Sequence, residues 1–159
     1  MNIAIRATNN DDIPLLAELD KAIYLPADAF SEEDFMDPDY KNFLLFLDNT
    51  PIGSTVLAPH KTVAESYSAP LPSAEGTLYI ISTAILPQFQ RSGFGSIVKA
   101  WQIAYARRNN FQRIVTNTRV SNGGNIALNQ KFNFRTARKI TNYYSDPTED
   151  AFVLELLDI

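Results

Sequence analysis

A chain of 159 residues with 45% hydrophobic content can enclose one substantial core, so a single domain over residues 1–159 is the expectation. A formal net charge of -4 argues against a phosphate backbone as chief ligand, because nucleic acid demands a basic face. The absence of cysteine excludes a disulfide framework, a thiolate zinc site and a cysteinyl acyl intermediate, and the lone histidine, His60, excludes a multi-histidine metal site.

In chain order, Ile3 and Ile5 lie in a short alternating segment that reads as a strand. Asn9-Asn10-Asp11-Asp12 then supplies capping oxygens ahead of Ile13, Leu15, Leu16, Leu19 and Ile23 at helical spacing. Ser31-Glu32-Glu33-Asp34 has the form of a second, short helix start that ends before Pro38. Residues 43–47 and 52–57 are apolar runs separated by Asp48-Asn49-Thr50-Pro51, which predicts an antiparallel hairpin. Residues 59–76, rich in Ala, Ser and Pro, are expected as a long surface loop that either covers a substrate or merely connects. His60 falls in it without any Gly-x-Ser-x-Gly turn elsewhere, and reads as a loop residue.

Residues 77–85 have the β-branched and aromatic content of a central strand, closed by Pro87. Ile97, Trp101, Ala104 and Tyr105 share one stripe of a following helix, with Arg107 and Arg108 at its negative end and Asn109-Asn110 as its stop. Residues 113–118 read as a strand, 122–131 as a Gly-interrupted loop and short helix, and 134–144 with 151–157 as a strand pair around Asp146-Pro147. The N-terminus lacks a basic stretch followed by an apolar core, and no apolar run approaches membrane-spanning length. A cytoplasmic protein without a membrane partner is expected.

The chemistry concentrates in Gln90-Arg91-Ser92-Gly93-Phe94-Gly95, set between a strand and a helix. Glycines there let successive backbone N–H groups face an anion without a Cβ in the way, and the helix start adds its dipole. A pyrophosphate suits such a nest, with Arg91 as a charged contact; a ligand-free glycine turn is the plain alternative. The dinucleotide fingerprint fails because Val98 stands where a third glycine or alanine belongs. The triphosphate loop fails because the chain reads Gly95-Ser96-Ile97.

Ile85-Leu86-Pro87 followed by that loop resembles the signature of the GNAT superfamily of N-acetyltransferases, an aliphatic-x-Pro step and then Gln/Arg-x-x-Gly-x-Gly/Ala. A second segment, residues 122–134, is similar to the family's Asn-x-x-Ala-x-x-Leu-Tyr-x-Lys-x-Gly-Phe at Asn122, Leu128, Lys131 and Phe134. The resemblance implies an α/β (α+β) fold: a mixed, mostly antiparallel twisted sheet flanked by helices, with a splayed central strand pair and the order β-α-α-β-β-β-α-β-α-β-β. It also implies acetyl-CoA as co-substrate, no metal, and an amine-bearing acceptor, either a small molecule or a peptide N-terminus, attacked directly in a ternary complex. The protein would be a monomer or homodimer.

By the same resemblance the pantetheine arm pairs with the backbone of Ala84, Ile85 and Leu86 as a guest strand, the N–H of Ile85 facing the thioester oxygen. The pyrophosphate lies against Gln90, Arg91, Ser92, Gly93, Phe94, Gly95 and Ser96. Asn122 and Asn125 lie near the pantetheine or the next phosphate, though as residues they read equally as turn and cap. Asn129 replaces the tyrosine that in many relatives protonates the thiolate, and an amide is no general acid. Tyr79 and Asn117 occupy places where some relatives hold a glutamate; Tyr79 reads equally as a packed aromatic. Asn142-Tyr143-Tyr144 with Glu149-Asp150-Ala151 resembles the hairpin of ribosomal-protein N-terminal acetyltransferases, one tyrosine reaching the acceptor. Residues 24–40 and 59–76 would shape the acceptor pocket. Glu18, Asp20, Glu32, Glu33 and Asp34 either attract a cationic amine or form solvated helix faces. Lys131, Arg135, Arg138 and Lys139 form a solvated edge or a coenzyme A phosphate site. A non-catalytic acyl-CoA sensor is the rival reading, kept alive by Asn129 and the lack of an obvious base.

Overall fold

The expected strands and helices form in their expected order in the computed structural model, which describes residues 1–61 and 75–159. They are β1 (Ile3–Ala7), α1 (Ile13–Ile23), α2 (Glu32–Phe35), β2 (Lys41–Leu47), β3 (Thr50–Pro59), β4 (Thr77–Ile85), α3 (Phe94–Arg108), β5 (Arg113–Arg119), α4 (Gly123–Lys131), β6 (Arg135–Tyr144) and β7 (Glu149–Leu157). The strands make one mixed sheet in the order β1-β2-β3-β4-β5-β7-β6; β4 and β5 are parallel, while β1 with β2, β2 with β3, and β7 with both β5 and β6 pair antiparallel. β3 runs on through Pro59, so the expected loop starts later than its composition suggests; residues 62–74 of it lie outside the described residues. The described residues divide into two compact units, Met1–Leu57 with Ile81–Gly95, and Ala58–Ile80 with Ser96–Ile159.

In the first unit the capping signals act as read. Asn9 and Asp12 form a capping box on the turn before α1, and Ser31 and Asp34 form another on α2. The hairpin closes through Asp48 and Asn49 at φ 48 and 69, a left-handed pair that matches the strand twist. Pro51 sits opposite Phe46 where the register shifts, a bulge that tolerates its missing N–H. Leu16, Ala17 and Leu19 of α1 pack with Phe35, Leu44 and Val56 into a buried core, each larger side chain contributing about 1.5–3 kcal/mol of burial.

In the second unit α3 turns a different face inward from the one its sequence suggests. Val98, Lys99, Gln102, Ile103 and Ala106 are buried, while Ile97 is 38% exposed and Trp101, Ala104 and Tyr105 are half-buried. Two polar residues on the buried face mask the apolar period that would have revealed it. Lys99 lies 4.8 Å from the centre of the Phe134 ring, and burial pulls its pKa down to about 7. The β6–β7 pair carries Arg135 opposite Glu155, joined at 2.8 Å.

Candidate active site

β4 leaves the sheet at Leu86 and enters a single 3-10 turn, Pro87–Phe89, where the fixed φ of proline begins the bend. Arg91 at φ 59 and Gly93 at φ 90 then break the extended backbone before α3 starts at Phe94. Left-handed residues spaced this way turn neighbouring N–H groups toward a common side, and the helix start adds its positive end. Gly93 is required for its φ and not for room, since a Cβ there would meet nothing within 4 Å. Gln90, Arg91, Ser92 and Gly93 are exposed, Gly95 and Ser96 half-buried; Phe94 is buried, its ring edge-on to Phe89 at 6.2 Å, and anchors the loop from below. Ala84 and Ile85 are buried and Leu86 half-buried. The Gln90 side chain turns back, its Nε2 donating to the Ile85 carbonyl at 2.8 Å.

In the second unit Tyr79, Asn117 and Tyr144, three residues named separately from sequence, are joined in one chain of hydrogen bonds. The Tyr79 hydroxyl donates to Asn117 Oδ1, and Asn117 Nδ2 donates to the Tyr144 hydroxyl oxygen at 2.8 Å. Tyr143 stands edge-on to Tyr144. The Arg119 guanidinium lies 4.6 Å from the centre of the Tyr144 ring and donates to the carbonyls of Ser145 and Pro147 and to Glu149. Hydrogen bonds from Ser121, and then Arg119, hold the Glu149 carboxyl below its ordinary range. This bracing fixes the turn between β6 and β7, and with it Tyr144. Sequence reasoning passed over Arg119, although a charged residue at the end of a strand was the available signal.

The asparagines of α4 are bound to one another. Asn122 is the N-cap, its Oδ1 accepting the N–H of Asn125 at 3.1 Å, as the cap reading had it. Asn129 is fully buried and its Nδ2 donates to the backbone O and the Oδ1 of Asn125; among the described residues its own Oδ1 has no hydrogen-bond partner. Ser96 Oγ accepts a hydrogen bond from Lys131 at 3.3 Å. Arg135 pairs with Glu155 and Lys139 with Asp150.

Other candidates have structural occupations. His60, at φ 56, donates its N–H to the Thr77 carbonyl, accepts the Gly76 N–H on Nδ1 and rests against Phe111. Among the acidic residues of α1 and α2, Asp34 caps its helix and Glu18, Glu32 and Glu33 are exposed. Asp20 is buried instead, with Oδ2 accepting the Phe30 N–H at 3.0 Å, and burial pushes its pKa up to about 6. One turn on, the Tyr24 hydroxyl donates to the Thr83 carbonyl at 2.8 Å and lies 3.0 Å from Ser82 Oγ. Among the described residues no group of three or more His, Cys, Asp or Glu could hold a metal ion, and no helix is long and apolar enough to cross a membrane.

Residues 9–134 match the model of the acetyltransferase (GNAT) family. An N-alpha-acetyltransferase of Saccharolobus solfataricus is 26% identical over 157 residues, 96% of this chain and 92% of that protein. The ribosomal-protein-S18-alanine N-acetyltransferase of Escherichia coli shares the fold with a TM-score of 0.80 at 20% identity, over 99% of this chain and 94% of that one. Ard1 from Thermoplasma volcanium does so with a TM-score of 0.78 at 16% identity, over 100% and 99%. The loop after β4, the order of elements and the family match agree: this chain belongs to the acetyltransferase (GNAT) family and is an N-acetyltransferase, a class that implies use of acetyl-CoA.

Proposed function

We propose that the chain transfers the acetyl group of acetyl-CoA to the α-amine of a peptide N-terminus by direct attack in a ternary complex. The observation that carries the donor half is the loop from Gln90 to Ser96, whose left-handed Arg91 and Gly93 and helix start suit a pyrophosphate. The backbone of Ala84, Ile85 and Leu86 would hold the pantetheine arm as a guest strand. The acceptor half is supported by the Saccharolobus relative, an N-alpha-acetyltransferase similar over nearly the whole chain, and by the Tyr79, Asn117 and Tyr144 chain. A small-molecule amine remains the other acceptor to test.

In this reaction the amine nitrogen attacks the thioester carbon, the C–S bond breaks, the nitrogen loses a proton and the sulfur gains one. The Ile85 N–H stabilises the charge that develops on the thioester oxygen. Tyr79 and Tyr144, fixed by the shared Asn117 amide, orient the amine and the water that carries its proton away. Asn129 keeps a buried acceptor oxygen without a partner among the described residues, and its amide has no acidic proton to supply to the thiolate.

Gly93→Glu tests the donor half, because it places a carboxylate in the anion nest. Calorimetric titration with acetyl-CoA should show binding lost while circular dichroism remains that of the folded chain. Unchanged affinity would sink the assignment.

A further inference from the structure

The geometry points to Tyr24 as a positioning residue for acetyl transfer: with Gln90 it clamps the two backbone carbonyls that bracket the Ile85 N–H. In a strand, the N–H and C=O of one residue face the same edge and alternate residues face opposite edges. Even-numbered residues of β4 face β3. The Leu86 N–H donates to Ile52 O at 2.9 Å, Ser82 O accepts from Thr55 Oγ1 at 2.9 Å, and the Ala84 carbonyl crowds Gly53. Thr83 and Ile85 therefore direct their backbone groups to the edge turned away from β3. On that edge the Thr83 carbonyl accepts the Tyr24 hydroxyl and the Ile85 carbonyl accepts Gln90 Nε2, both at 2.8 Å.

The Ile85 N–H lies between those two carbonyls on the same edge. Two side-chain donors, one at the end of α1 and one in the glycine loop, thus hold this edge of the strand. Burial keeps the Tyr24 phenol protonated far above its ordinary value, so it remains a donor across the working pH range. The proposal rests on the reading that the Ile85 N–H faces the thioester oxygen. Such a donor is effective only when aimed within about 10–20° of the productive direction, which is what the clamp secures.

Tyr24→Phe removes the hydroxyl and keeps the ring; Gln90→Leu removes the other jaw at an exposed position that folding tolerates. Thiol release from acetyl-CoA is followed with short peptides bearing a free α-amine and with water as nucleophile. Each variant should lose about tenfold in kcat, and for Tyr24→Phe, which lies outside the pyrophosphate loop, KM for acetyl-CoA should stay within about twofold. Ser82→Ala, which leaves the Thr83 contact in place, should match the wild type. The clamp is overturned if Tyr24→Phe and Gln90→Leu keep wild-type kcat. It is equally overturned if the loss of kcat in Tyr24→Phe is matched by a rise in KM for acetyl-CoA, or if the loss in either variant is matched by the fall in thermal midpoint that plain loosening of the fold produces. A wild-type chain that binds no acetyl-CoA removes the donor reading itself, whereas wild-type turnover beside unaffected variants removes only the clamp.

Discussion

Lys99→Met is expected to stabilise the protein, and by an amount that depends on pH. Lys99 is 2% exposed, and burial alone carries its pKa from the ordinary lysine value of 10.5 to about 7. At about 1.4 kcal/mol per pH unit, holding the charged form in the fold costs about 5 kcal/mol. The Phe134 ring, 4.8 Å away, returns about 1 kcal/mol to the cation. Methionine keeps the unbranched stem and buries no charge, so a gain of about 2–4 kcal/mol is expected at pH 6.5. The folded chain releases this proton near 7 and the unfolded chain near 10, so between those values the unfolded state binds more protons. Wild-type stability therefore rises with pH across that window and is lowest below it. The variant lacks that slope, and its advantage shrinks toward pH 10. Urea denaturation at pH 6.5, 8 and 9.5 reads both terms. Parallel pH profiles for the two proteins would refute the reasoning, because they would mean that Lys99 titrates alike folded and unfolded.

Gly53→Ala places a Cβ 2.2 Å from the Ala84 carbonyl oxygen and 3.2 Å from Ile85 Cδ1, so β4 must give way at backbone. A loss of about 1–3 kcal/mol in thermal or urea stability is expected, with acetyl-CoA affinity reduced about tenfold or more in calorimetry. Asp20→Asn addresses the carboxyl whose pKa burial raises to about 6. Between about 4 and 6 the folded state binds the extra proton, so wild-type stability falls as pH rises through that window, by up to about 3 kcal/mol. The asparagine still accepts the Phe30 N–H, and its stability should be flat from pH 4 to 6; a wild-type slope retained in the variant would show that another group carries it.

Much of this was legible because particular residues punctuate the chain. Asn9 and Ser31 cap, Asp48-Asn49 turns, Pro87 stops a strand and Gly93 permits φ 90, each through its own covalent constraint. Where the sequence misled, burial had put the wrong chemical type inside. Lys99 and Gln102 occupy the inward face of α3, so the periodicity pointed to Ile97 and Trp101 instead. Asp20 looked like one more solvated acid until its helix face met the segment at Phe30. Tyr24 carried no local signal at all, since its partners Ser82 and Thr83 are 58 and 59 residues away and are engaged through a hydroxyl and a backbone oxygen. Asn117 could be placed on β5 from sequence. Its two tyrosine partners became evident only when the β4–β5 register brought Tyr79 beside it and the β5–β7 and β6–β7 registers brought Tyr144.

The division between what could and could not be read follows from how this chain does chemistry. It has no cysteine, and its one histidine is spent joining Gly76 and Thr77 to Phe111. Under the proposed reading the donor is therefore held largely by backbone, through the nest of the glycine loop and the edge of β4, and such sites leave a trace in sequence only as glycine, proline and strand pattern. Side chains then act by fixing that backbone: Gln90 and Tyr24 at the two carbonyls of β4, and Phe94 beneath the loop. A residue that serves by holding a main-chain group asks only for a donor of the right reach, which many residue types supply. Its identity is set by geometry that only the folded chain reveals, whereas Gly93 and Pro87 are set by what the polypeptide itself allows.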